Sequence, residues 1–311
     1  MISTGNLTKY YDTHAAVLGA NLFVGAGDVC ALIGPNGAGK TTLLKMLAGL
    51  LRPLSGRIEV AGVEIGAFPK RLHEIIGYVP DTFGLYDELT VAEFMDYFAR
   101  AHNVPRAAIE KRVSSTLHLT GLTEKINAPT GALSRGMRQR LVIAKTLLHA
   151  PKVLLLDEPA SGLDPRARME LRDLIKHLAA SGVTLVVSSH ILTELADFST
   201  SVVIMEQGRI VRSGRISELV AELSGGAAPV RIEATDGESA SVIAAWLGER
   251  ESIRSVKVAD TIVDFAFAGE RAELAQLHKD LVVGTNGVVS FYERRLTVED
   301  VFLATGSNRV A

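Results

Sequence analysis

The sequence predicts an α/β chain: a large domain built on a buried, mainly parallel sheet and interrupted by a helical insertion, followed by a small α+β domain. Three observations carry this. Continuous apolar runs at residues 29–33, 152–157 and 183–188 alternate with helical patterns, as strands covered on both faces do. Between Thr82 and Ala150 strand signals vanish and helix signals replace them. Beyond residue 223 the pattern changes to short alternating strands and helices.

In chain order, the first strong element is the strand Val-Cys-Ala-Leu-Ile at 29–33, followed by a glycine-rich loop and a helical stretch from Thr41 to Gly49. Residues 90–93, Thr-Val-Ala-Glu, form a capping box opening a helix with an apolar face of Phe94, Tyr97, Phe98 and Ala101. A helical pattern at 166–180 lies between the strands at 152–157 and 183–188. Ser224-Gly-Gly-Ala-Ala-Pro229 has linker composition, which sets the expected domains at 1–223, with 82–150 as a helical subdomain, a linker at 224–229, and 230–311. The tail reads as strand 230–234, helix 241–247, strands 253–258 and 262–266, helix 272–281 and strand 288–292. That β-α-β-β-α-β order predicts a ferredoxin-like sandwich.

Composition bounds the function. The chain has 311 residues, more than the roughly 250 at which single hydrophobic cores stop growing, so two cores are expected. Hydrophobic residues at 47% and charged residues at 22% exclude disordered and fibrous classes. A net charge of -2 leaves no basic excess, so no nucleic-acid partner is expected. Cys30, the single cysteine, permits no internal disulfide and reads as core filling, which fits a reducing compartment. The N-terminus lacks a basic start followed by an apolar stretch, and so does not read as a secretory signal. No apolar run approaches the ~18–20 residues of a spanning helix. Membrane association is expected through a partner only.

Gly34-Pro35-Asn36-Gly37-Ala38-Gly39-Lys40-Thr41 satisfies G-x-x-x-x-G-K-[ST] between a strand and a helix, which predicts ATP binding. Glycines let consecutive N–H groups curl around an anion, and the helix N-terminus adds its positive end. Lys40 is expected to reach the β and γ phosphates, Thr41 to ligate Mg²⁺, and Thr42 to complete the ATP set. At residues 154–159, Leu-Leu-Leu-Asp-Glu-Pro, an apolar strand ends in two carboxylates where α/β sheets place ligands. Asp157 is the expected Mg²⁺ ligand. Glu158 is the expected catalytic group that orients or deprotonates the attacking water.

Further motifs carry a family resemblance over nearly the whole chain. Ala160-Ser-Gly-Leu-Asp164-Pro165 resembles the D-loop of ABC ATPases, and Leu133-Ser134-Arg135-Gly136-Met137-Arg138-Gln139-Arg140 resembles their signature. His190, after Ser188-Ser189, looks like their catalytic switch histidine, and Tyr11 like the aromatic that stacks on adenine. The resemblance implies a P-loop NTPase core of the ABC type in a head-to-tail dimer, with itself or a paralogue. Ser134, Gly136 and Asp164 of one subunit would then cover ATP on the loop of the other. It also implies a separate integral membrane permease, with this chain on the cytoplasmic face of the cell membrane. The exposed part of residues 83–98, with Tyr86 and the face of Phe94, Tyr97 and Phe98, is the expected docking groove.

Residues 296–306 are similar to the terminal segment of the type-2 exporter branch, which includes antibiotic and multidrug exporter ATPases. The alternative is a soluble non-transport ABC ATPase acting on ribosomes or DNA. One phosphate loop and one signature, with a short gap from Lys40 to Ser134, argue against it. An importer ATPase with a regulatory tail is a third reading, against which the order of the tail's elements speaks. Asp81 stands where most relatives carry glutamine; it offers a hard oxygen to Mg²⁺ but adds negative charge beside Asp157 and Glu158. Arg135 stands at a usual glycine position and Met137 at a usual glutamine.

Overall fold

The strand that ends in the phosphate loop is buried at all five residues, and the first of two compact units is built around it. The computed structural model describes residues 1–65, 69–191, 195, 197–224, 226–294 and 300–301. The first unit runs to Arg215 and the second begins at Ile216.

The first unit opens with β1 (Ile2–Tyr11), β2 (His14–Ala20) and β3 (Phe23–Val24), then β4 (Val29–Ile33) and α1 (Lys40–Leu47). Next come β5 (Ser55–Val60), β6 (Val63–Glu64), α2 (Pro69–Ile75) and β7 (Ile76–Val79). β1, β2, β3, β5 and β6 form an antiparallel sheet, an element the apolar runs did not announce. Its inward residues Ile2, Leu7, Val17, Val24, Ile58 and Val60 pack in one core with Leu43, Leu44 and Leu47 of α1 and with Cys30 and Leu32 of β4. Burial pushes the Cys30 thiol up to about 12, so it stays protonated and inert, as a core residue.

The helical layer follows: α3 (Val91–Ala101), α4 (Arg106–Leu119) and α5 (Arg135–Leu147). Thr90 caps α3 through the reciprocal bonds with Glu93 that the sequence predicts. Phe94 is a correction: it is 1% exposed in the core of this layer, with Met95, Leu117 and Leu141, and cannot line a docking groove. Tyr86 and Tyr97 are the exposed members of that face, their rings edge-to-face at 6.0 Å.

The chain then adds β8 (Val153–Leu156), α6 (Pro165–Ala180), β9 (Thr184–Ser189), β10 (Ser201–Glu206) and β11 (Arg209–Arg215). The central sheet has the order β11-β10-β4-β9-β8-β7, parallel except for the β10–β11 hairpin. β9 therefore lies between the phosphate-loop strand and the carboxylate strand. Register pairs Leu32 with Ser188 and Leu156 with Val187, so the carboxyl ends of the three strands lie side by side.

The second unit contains α7 (Ile216–Ser224), β12 (Ala228–Ala234), α8 (Gly237–Gly248), β13 (Ile253–Ala259), β14 (Ile262–Phe267), α9 (Arg271–Gly284) and β15 (Val288–Glu293). The antiparallel sheet order β13-β14-β12-β15 puts β14 between the two strands joined by α8, which is the split β-α-β arrangement. Val230, Ile232, Phe265 and Phe267 meet Ile243, Leu247 and Leu281 in a separate core. The boundary falls earlier than expected, because α7 groups with this unit, and the expected linker is shorter, because Ala228 and Pro229 already pair with Phe267 and Ala266. Of the segment 296–306, only residues 300 and 301 lie among those described. No described helix is long and apolar enough to cross a membrane.

Gly77 of β7 adjoins Tyr78, and a Cβ there would stand 2.5 Å from Thr146 Cγ2 and 2.9 Å from Leu154 Cδ1. Gly77→Ala is expected to destabilise the first unit by about 1–3 kcal/mol through overpacking. The urea midpoint of the full chain measures this; an unshifted midpoint would refute the packing described.

Candidate functional site

Gly34 to Thr42 follow β4 directly and wrap the start of α1. Gly39 has φ +103, and a side chain there would strike the Ala16 carbonyl, so the loop needs glycine on both counts. Lys40 is 6% exposed. Its ammonium donates to Gly34 O at 2.7 Å and Pro35 O at 3.3 Å, and pairs with Glu158 Oε1 at 3.1 Å. Two loop carbonyls thus take hydrogen bonds from the ammonium, while the contact with Glu158 Oε1 is an ion pair without hydrogen-bond geometry.

Glu158 begins the turn after β8 with φ +47, a left-handed conformation uncommon for glutamate. What holds it there is Ser188, the penultimate residue of β9. The Glu158 N–H donates to Ser188 Oγ at 2.8 Å, and that hydroxyl donates to Asp157 Oδ1, also at 2.8 Å. Tyr78 OH donates to Asp157 Oδ2 at 3.3 Å. Burial and the Asp157 charge push the Tyr78 phenol up, so it stays a donor. Asp157 is 1% exposed and holds both bonds.

The Glu158 carboxylate is therefore shared. Oε1 faces Lys40, and Oε2 lies 2.8 Å from His190 Nδ1. An ionised carboxylate only accepts, so the ring proton in this bond sits on Nδ1.

The cleft beside these groups is lined by Tyr11, His14, Ala16, residues 36–42, Asp81 and Glu158. Partial burial raises the Asp81 carboxyl above its ordinary range, and the Asp157 and Glu158 charges raise it further. Arg135 and His190 pull it back. Thr41, Asp157 and Asp81 are hydroxyl and carboxylate oxygens, the hard donors that suit Mg²⁺ sharing its shell with phosphate.

The structure thus gathers Tyr11, the phosphate loop, Asp81, Asp157, Glu158 and His190 at one end of the central sheet. Ser134, Gly136 and Asp164 do not line this cleft. Ser134 caps α5, its hydroxyl accepting from Met137 N at 3.3 Å, and Asp164 caps α6 through Ala167 N at 2.9 Å. Gly136 is buried, with a would-be Cβ 2.6 Å from Ala167 Cβ, so its lack of a side chain serves packing between the two helices. Sequence reasoning missed Ser188, Tyr78 and His14. The pair of hydroxyls that closes β9, Ser188 and Ser189, was the one signal for Ser188.

A family model described as ABC transporter matches residues 17–161. The chain is 36% identical over 220 residues to the Nod factor export ATP-binding protein I of Ralstonia nicotianae, covering 71% of this chain and 68% of that protein. Among solved structures it is similar to cbiO1 of Clostridium perfringens, part of the ABC transporter complex cbiONQ, with 32% identity and a TM-score of 0.64 over 71% of this chain and 91% of that one. It is also similar to a dimeric ATP-binding cassette in a post-hydrolysis state bound to ADP and Pi, with 26% identity and a TM-score of 0.62, covering 70% of this chain and 99% of that one.

Ser188→Ala leaves the Glu158 N–H and one Asp157 oxygen without their partner, a loss of about 1–3 kcal/mol for buried groups. The variant is expected to unfold at lower urea and to lose hydrolysis while retaining nucleotide. Parental stability together with parental hydrolysis would show that the hydroxyl does not hold the pair.

Proposed function

The chain belongs to the ABC transporter family of ATP-binding proteins, and we propose that within it this protein is the ATP-hydrolysing motor of an exporter. Binding and hydrolysis of ATP come with the family; the assignment of residues is ours. The observation that carries it is the Glu158 carboxylate, held between Lys40 of the phosphate loop and His190.

An arriving triphosphate offers Lys40 stronger acceptors than the Gly34 and Pro35 carbonyls, and it competes with Glu158 for the same ammonium. Once released on that side, the Glu158 carboxylate accepts a proton from, or orients, the water that attacks the γ-phosphorus. His190 holds the other carboxylate oxygen, so the group turns little. Tyr11 stacks on the adenine, and the loop amides of 36–42 receive the phosphates. Thr41, Asp157 and Asp81 would hold Mg²⁺, which neutralises charge across the β and γ phosphate oxygens when bound.

Ser134, Gly136 and Asp164, set apart from the cleft of their own chain, serve the nucleotide of a second ATPase subunit, in keeping with the dimeric cassette to which this chain is similar. Tyr86 and Tyr97 are the docking candidates for a membrane permease, which would hold the chain at the cytoplasmic face. Export rather than import is supported by relatives such as the Nod factor export protein. Permease co-purification should fall in Tyr86→Ala or Tyr97→Ala; full recovery in both would remove these residues from the interface.

Glu158→Gln should bind ATP with parental affinity and hydrolyse it roughly 100-fold or more slowly, the scale of a lost general base. Parental turnover in this variant would overturn the assignment. Asp81→Gln removes a negative charge beside Asp157 and Glu158, and is expected to hydrolyse faster and at lower Mg²⁺ than the parent. Equal rates and equal Mg²⁺ midpoints would contradict this.

A further inference from the structure

Arg135 is the first residue of α5, directly after the cap Ser134. Its Cζ, Nη1 and Nη2 stand 2.5, 2.6 and 2.7 Å from the position a Cβ on Gly162 would take. Near-equal distances to three atoms of one plane mean that the guanidinium lies face-on across Gly162. Gly162 has φ +66, so the backbone there favours glycine. A glycine at position 135 makes no such contact.

Gly162 sits in the turn that joins Glu158 to Asp164. That turn is tight: Ser161 N donates to Glu158 O at 3.1 Å, and Leu163 N to Ala160 O at 3.2 Å. A shift at Gly162 therefore reaches Glu158 through two closed turns. The same helix is tied to α6 at two further levels, by Gly136 against Ala167 and by Arg140 Nη2 to Glu170 Oε2 at 2.9 Å.

We propose that Arg135 is a positioning residue for hydrolysis: by covering Gly162 it fixes the turn that carries Glu158, so that the start of α5 and the hydrolytic carboxylate of one chain move together. This deepens the reading of Glu158 given above and rests on it. Because the start of α5 also carries Ser134, what happens at that cap is passed to the chain's own Glu158.

The test is a double-mutant cycle in the full chain, with Arg135→Ala, Gly162→Ala and the double variant, reading kcat and KM for ATP, equilibrium nucleotide binding and melting temperature. Arg135→Ala is expected to lower kcat about fivefold or more while KM and nucleotide affinity stay within about twofold, since the lost interaction bears on the reacting group and not on ATP. Arg135→Lys should not rescue, because an ammonium has no plane to lay on the turn. In the double variant the two losses should be less than multiplicative, as for residues in contact. Should Arg135→Ala melt early, Arg135→Gln, which keeps part of the stem, must show the same kcat loss. A parental kcat in Arg135→Ala or Arg135→Gln, or losses that simply multiply, overturns the proposal. Glu158→Gln run alongside separates the two claims: if it hydrolyses ATP normally the reading of Glu158 fails, whereas if it is inactive and Arg135→Ala is normal only the role of Arg135 fails.

Discussion

The site depends on one hydroxyl. Ser188 is the penultimate residue of β9, the strand between the phosphate-loop strand and the carboxylate strand, and its oxygen bonds both residues that follow β8. Through Asp157 it places the buried carboxylate, and through the Glu158 N–H it holds that residue at φ +47. A left-handed glutamate costs on the order of 1–3 kcal/mol and persists only where its surroundings over-determine it. Here they do, because Lys40 and His190 take the two carboxylate oxygens. The order of three strands thus becomes the geometry of one carboxylate.

Much of this was legible in local sequence. Strand, glycine loop and helix are contiguous in the chain, so the phosphate loop could be read with its context, and Asp157 and Glu158 follow directly on an apolar strand. The capping box at Thr90 and the element order of the tail are likewise local patterns. What could not be read depends on which strands become neighbours. Ser188 and Tyr78 matter because β9 and β7 flank β8, a consequence of sheet order that no window of sequence contains. The antiparallel sheet of β1, β2 and β5 escaped because its strands alternate buried residues with exposed ones, as at Ile2, Ser3 and Thr4, and so lack the apolar run that marks β4 and β8.

One expectation failed because a helix has an inside. Phe94 was grouped with Tyr97 and Phe98 by helical spacing, yet it points into the layer core while Tyr97 faces out. Gly136, expected to cover the nucleotide of a second subunit, also lets α5 approach Ala167 of α6 through its missing side chain. Arg135, a departure from the family pattern at a usual glycine position, lies across Gly162 of the loop that follows β8. The two motifs are one packed unit within a chain.

The central claim is that the carboxylates anchored by Ser188 stay fixed while Lys40 exchanges partners when a triphosphate arrives. A crystal structure of the full chain with a non-hydrolysable ATP analogue tests it most directly. The account predicts Lys40 Nζ on phosphate oxygens and away from Glu158 Oε1, with the Ser188 bonds to Asp157 and to the Glu158 N–H retained. Lys40 still paired with Glu158 beside bound nucleotide, or Ser188 detached from both residues, would contradict it.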